Sequence, residues 1–181
     1  MSSNPESEQR DDDNLGPEDF RNPIEAIYRD HGRVSQFCEW LLELSSNIEG
    51  DDAPQIAALL LDYLETELPI HLADEEEDLF PLLRRRTPSN EQLHSTLKLL
   101  VLEHRDDIEC GRGLLEPLRR ISAGERPADA ATLTHYMRAF RMLLQRHQAV
   151  ENNFVLPAAE QYLSADDKSE LGRRMAARRD L

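Results

Sequence analysis

A histidine and a glutamate four residues apart on a helix share one face and can offer donor atoms to a single ion. The sequence does this twice, with His71 and Glu75 in IHLADEEEDLFP and with His147 and Glu151 in RHQAVENNFVLP. Leu68 lies one turn before the first pair and Leu79 one turn after it, so both polar groups point where the leucines point. Two further histidines, His31 and His104, interrupt apolar stripes in the same way. Imidazole nitrogens and carboxylate oxygens together are the donor types that divalent transition-metal ions accept.

Such groups must be carried by long elements, and the hydrophobic pattern supplies them. No strand-like alternation occurs, whereas four long segments carry helical periodicity between Gly- and Pro-marked breaks. The first is expected from about Pro23 to Ile48, the second from Pro54 to Arg86, the third from Asn90 to Ile121 and the fourth from Ala128 to Val155. Steps of three and four give Ile24, Ile27, His31, Val34, Cys38, Leu41, Ser45 and Ile48 in the first. In the second they give Leu60, Leu64, Leu68, His71, Glu75, Leu79 and Leu82. The third gives Leu93, Leu97, Leu100, His104, Ile108, Gly111, Leu115 and Leu118, and the fourth Leu133, Tyr136, Phe140, Leu144, His147, Glu151 and Phe154. These are the core stripes of an all-α, up-down-up-down antiparallel four-helix bundle. A short fifth helix is expected to about Arg179, opened by Ser164 with Asp167 three residues on, a capping signature. Pro69 and Pro117 fall inside helical patterns and are expected to bend them.

In such a bundle, residues at equal height are symmetric about the connecting loop. Positions 31 and 71 are centred on Asp51, 71 and 104 between Thr87 and Pro88, and 104 and 147 between Glu125 and Arg126. All three centres fall in the breaks, so the four histidines belong to one layer. Carboxylates buried in that layer are costly unless a cation meets them, and the lysines and arginines are nearly all off these stripes. Four His and two Glu exceed one tetrahedral zinc and suit two iron-like ions, each with two imidazoles and sharing the carboxylates, at roughly 3.5–4 Å separation. The plain alternative is a set of ordinary core histidines.

The chain of 181 residues is expected to form one main domain. With 36 Asp and Glu against 21 Lys and Arg, its net charge of −15 argues against nucleic acid and anionic membranes as partners. Two cysteines make no disulfide framework, no apolar run approaches a membrane span, and the N-terminus lacks an apolar signal core. The expectation is a cytoplasmic protein with a disordered acidic tail over residues 1–19, a bundle over 20–160 and a C-terminal helix over 161–181.

The ordered pattern of His31, His71 with Glu75, His104, and His147 with Glu151, including the LFP and VLP endings, resembles the hemerythrin HHE cation-binding family over about Ile24 to Ala158. The resemblance implies a non-haem, oxo-bridged di-iron site, with manganese or zinc as alternatives. His31, His71, His104 and His147 would be terminal ligands and Glu75 and Glu151 bridges. Invertebrate oxygen carriers of the family have another histidine one turn after the third-helix ligand, where this chain has Ile108, and an aspartate five residues after the last histidine, where Glu151 stands at four. The set is closer to the family's iron–sulfur-repair proteins, whose cysteine-containing N-terminal domain has no counterpart in residues 1–19. The implied activity is binding of iron with O2, NO or peroxide for sensing, scavenging or storage. A di-iron oxidase, peroxidase or repair enzyme and a metal-free interaction bundle are the alternatives.

Other residues are weighed against plain roles. Glu103, beside His104, is a candidate to support the site from behind, against a solvated or interface role. His94 and His135 are read as surface residues and Cys38 as core filler. The acidic run of Asp74, Glu76, Glu77 and Asp78 reads as a solvated face that could guide cations. RRMAARR near the C-terminus reads as a helix docked on the bundle, with a partner or membrane surface as the alternative.

Overall fold

A computed structural model describes residues 16–181. Residues 1–15 of the expected tail lie outside this part, and its last residues form a turn in which the Gly16 N–H donates to Asp19 at 2.8 Å. The turn leads into a 3-10 segment, Asp19–Arg21. Among the described residues there is no strand, and five helices account for most of them. They are α1 (Pro23–Ser46), α2 (53–86), α3 (Glu91–Ser122), α4 (130–162) and α5 (Ala165–Arg178).

Local chemistry sets the starts. The Asn90 and Asp129 side chains accept from the backbone N–H groups of Leu93 and Thr132, each at 3.0 Å, which satisfies orphan donors at the starts of α3 and α4. Ser164 and Asp167 form the expected reciprocal capping box. Helix α4 runs seven residues past the expected end at Val155, because Pro157 is absorbed rather than ending it.

Three prolines are accommodated in one way. Pro69, Pro81 and Pro157 each follow a π-helical segment, Tyr63–Glu67, Asp74–Leu79 and Glu151–Val155 respectively. A proline ring collides with the carbonyl four residues earlier and lacks an N–H to bond it. Here those carbonyls belong to Glu65, Glu77 and Asn153, inside the widened turns, where the backbone bonding has already shifted to i→i+5. Pro117, by contrast, sits in an uninterrupted α3.

The buried apolar residues divide into two clusters. One joins Val34 to Leu44 of α1, Ala57 to Leu72 of α2, Leu114 to Ile121 of α3 and Leu133 to Leu144 of α4. The other joins Phe20, Ile24 and Ile27 to Leu79–Leu83, Leu93–Leu100, Val155–Ala159 and the α5 residues Leu171 and Met175. Segments before the histidine in α1 and α3 thus pack with segments after it in α2 and α4, the partition that alternating chain direction produces. The polar layer lies between the two clusters.

The stripes depart from expectation at four positions. On α3 the buried face passes through Asp107 and Leu114, while Ile108 is 36% exposed and Leu115 only partly buried. On α4 it takes Met137 and Val155 in place of Tyr136 and Phe154. A period of 3.6 permits a step of three or of four, and packing takes the neighbouring residue at each of these forks. The shift to Val155 has an added cause: the π segment inserts a residue into the turn and advances the buried face.

Candidate metal centre

The four histidines and two glutamates named from the spacing lie together, each buried. His31 Nε2 is 3.4 Å from Glu75 Oε1 and 3.5 Å from Glu151 Oε2. His71 Nε2 is 3.7 Å from Glu75 Oε2. His104 Nε2 is 3.2 Å from Glu151 Oε1 and 3.6 Å from Glu75 Oε2. The ring centroids pair at 5.2 Å, His31 edge-on to His71 and His104 edge-on to His147. Two groups result, His31–His71–Glu75–Glu151 and His104–His147–Glu151, each with its candidate donor atoms within 4.8 Å of one another. Glu151 belongs to both. Glu75 and Glu151 both fall within π segments, the kind of local widening that recurs at functional sites.

Each of three imidazoles meets a polar side chain on its far nitrogen. His31 Nδ1 is 2.6 Å from Asn152 Oδ1, His104 Nδ1 is 2.9 Å from Glu76 Oε1, and His147 Nδ1 is 2.8 Å from Asp107 Oδ2. The first two are hydrogen bonds that fix which nitrogen faces inward and how the ring is turned, and the third is a close approach of a carboxylate that favours an N–H on that side. Gln148 adds a backbone tie, its Nε2 donating to the His31 carbonyl at 2.5 Å. None of these four residues was singled out for such a role from the sequence. Asp107 had a usable signal, one turn after His104 on the same face. Asn152 and Glu76 had none, because chain neighbours of an inward-facing residue ordinarily point elsewhere. Glu103, weighed as a support for the site against a solvated or interface role, takes the interface role: it meets Arg146 Nη2 at 2.6 Å, bridging α3 to α4 away from the inward-facing nitrogens.

Both ring nitrogens of His71, Oε2 of Glu75 and Oε2 of Glu151 are buried without a hydrogen-bond partner among the described residues. Buried polar atoms normally find one, and orphans in a native core ask for a reason. A cation accepting these lone pairs supplies it, so the donor set fits a metal. Electrostatics show how strongly the groups of this layer depend on one another. Burial pushes His71 down to about 3, which leaves it neutral. Burial also opposes the charged forms of His31 and His104, but hydrogen bonds and charge from Glu75 and Glu151 carry them up to about 9 and about 10. Glu151 is raised by burial and by the Glu75 charge. Two adjacent buried carboxylates disfavour joint ionisation unless positive charge lies between them.

The acidic run is not a solvated face. Asp74 and Asp78 are buried beneath α5 and meet its arginines, and Glu76 turns to His104. Only Glu77 remains exposed, and Arg178 Nη2 reaches it at 3.1 Å. Burial pushes the Asp74 carboxyl up to about 6 against the pull of Arg179 and Arg178. RRMAARR is therefore a helix docked on the bundle, with Arg174, Arg178 and Arg179 paired to bundle carboxylates. His135 is exposed and His94 half-buried, and Cys38 is buried in the core. No helix of the described residues is long and apolar enough to cross a membrane.

The sequence matches the hemerythrin HHE cation-binding domain over residues 22–159, the bundle and its polar layer, and the chain belongs to that family. It is also similar to a protein of Haemophilus influenzae described as uncharacterized, 28% identical over 175 residues, which cover 92% of this chain and 97% of the relative.

Proposed function

We propose that the protein holds a pair of iron ions in this layer and, through them, binds O2, NO or peroxide in sensing, scavenging or storage. One observation carries the reading: both buried carboxylates touch imidazoles of both halves of the cluster. Glu75 reaches His31, His71 and His104, and Glu151 reaches His31 and His104. A single-ion site has no use for that sharing. His31 and His71 would hold one ion and His104 and His147 the other, with Glu75 and Glu151 between them. Iron held so supplies redox change and coordination positions that a small ligand can fill.

The chain's own contribution is orientation and exclusion. Asn152, Glu76 and Asp107 turn three rings inward. The two apolar clusters on either side of the layer keep bulk water from it. Metal analysis of protein purified without a His-tag, with spectra in air and after dithionite, tests the reading. Two irons per chain and a near-ultraviolet charge-transfer band lost on reduction are expected. Glu75→Ala and Glu151→Ala should each lose at least one iron; if both keep two, the shared-carboxylate assignment is wrong. Catalytic turnover of peroxide or NO would move the protein into the enzyme class, and indifference to added Fe(II) would leave a metal-free bundle.

A further inference from the structure

The fifth helix meets the bundle through ion pairs placed unlike ordinary surface contacts. Arg179, at its C-terminal end, sends Nη1 to Asp74 Oδ2 at 2.6 Å and Nη2 to Asp30 Oδ2 at 2.9 Å. Asp30 immediately precedes His31 on α1, and Asp74 immediately precedes Glu75 on α2. Both carboxylates are buried, at 4% and 0% exposure. The Arg179 guanidinium also lies over the Phe20 ring, 5.1 Å from its centre. Arg178 adds a contact to Asp74 and one to Asp78 Oδ2 at 2.8 Å, and Arg174 reaches Asp78 Oδ1 at 3.2 Å.

Neighbouring residues on a helix point about 100° apart, so an outward aspartate and an inward ligand share one short stretch of backbone. Fixing the aspartate fixes the direction of the ligand beside it. One guanidinium ties two helices together beside His31 and Glu75. A planar fork can bind two carboxylates through separate nitrogens, whereas an ammonium offers a single point of charge. At its other end α5 is attached just as firmly but away from the layer. There Asp167 accepts from Arg86 Nε at 2.7 Å and Arg85 Nη2 at 2.8 Å.

We propose that α5 is a clamp on the candidate metal centre, in which Arg179 is a positioning residue that ties Asp30 to Asp74 and so sets His31 against Glu75. This rests on the metal reading above. Displacing the helix loosens one half of the ligand set without removing a ligand, which makes α5 the natural handle for controlling metal retention.

The test compares Arg179→Ala, Arg179→Lys and Arg86→Ala in the full chain. Each is loaded anaerobically with Fe(II) and transferred to excess chelator, and Co(II)-loaded samples report the ligand arrangement by visible absorption. Hydrogen exchange of the metal-free chains reads the backbone around residues 30 and 74 directly. Arg179→Ala should keep its helical circular dichroism, release iron about tenfold faster or more, alter the Co(II) spectrum and exchange faster at those two stretches. Arg179→Lys should fall between it and the parent. Arg86→Ala, which removes a comparable ion pair of α5, should retain parental release and spectrum. The clamp is overturned if Arg179→Ala releases iron at the parental rate, or if Arg86→Ala accelerates release equally. Should Arg179→Ala fail to fold, Arg179→Lys alone decides by the same readouts. A parent chain that takes up neither Fe(II) nor Co(II) overturns the metal reading, and the clamp's purpose with it, whatever the exchange pattern.

Discussion

Asp107 and Glu103 stand on the same helix, flank His104, and have different fates. Asp107 is buried against His147 Nδ1, while Glu103 pairs with Arg146. If outer contacts orient the imidazoles, Asp107→Asn should weaken iron binding about tenfold or more, and Glu103→Ala should leave it unchanged; competition with a calibrated chelator measures both. Cys38 offers a second check at this scale. Burial pushes its thiol up to about 12, so at about pH 8 the reactive thiolate is scarce. Iodoacetamide should leave Cys38 unmodified in the native chain and label it after denaturation, as read by peptide mass spectrometry. Rapid native labelling would show that the core around it opens. The ligand-type residues were legible because histidines and glutamates on leucine stripes are conspicuous. Their supports were not, because Asn152 and Glu76 are polar residues among polar residues until the helices are packed.

At the scale of elements, helix starts were written plainly and helix ends less so. Asn90, Asp129 and Ser164 each cap a helix with their own side chains. The pair Ser164–Asp167 also carries a pH dependence. Hydrogen bonds from Arg86, Ser164 and Arg85 hold the Asp167 carboxyl well below the usual aspartate range. A depressed native value adds stability above the unfolded value, near pH 4, and that stability is lost as pH falls below it. Asp167→Asn should therefore lower Tm at neutral pH, and the difference from the parent should shrink as the pH is taken from about 4 towards 2; thermal scans at several pH values measure it. A difference that persists undiminished in acid would assign the effect to shape rather than charge. The π turns before Pro69, Pro81 and Pro157 were hidden, since a proline inside a helical pattern allows a kink, an end or a widened turn, and packing selects among them.

For the whole molecule, the docking of α5 includes one close backbone approach. A Cβ added at Gly172 would lie 1.9 Å from the Phe20 carbonyl oxygen, a backbone atom that cannot swing away. Gly172→Ala should push α5 off the Asp19–Arg21 segment and cost about 1–3 kcal/mol, visible as a Tm several degrees lower. An unchanged Tm would mean that the two segments are not held so closely. Sequence alone determined the helical class, the breaks between helices and the common height of His31, His71, His104 and His147, because periodicity and loop symmetry are one-dimensional properties of an antiparallel bundle. Only the tertiary structure decided that Asp74 and Asp78 are buried beneath an arginine helix rather than wetted, and that Asp107 rather than Ile108 faces inward. A charge run reads the same whether its partner is water or a segment about a hundred residues away, and only the fold brings that partner into contact.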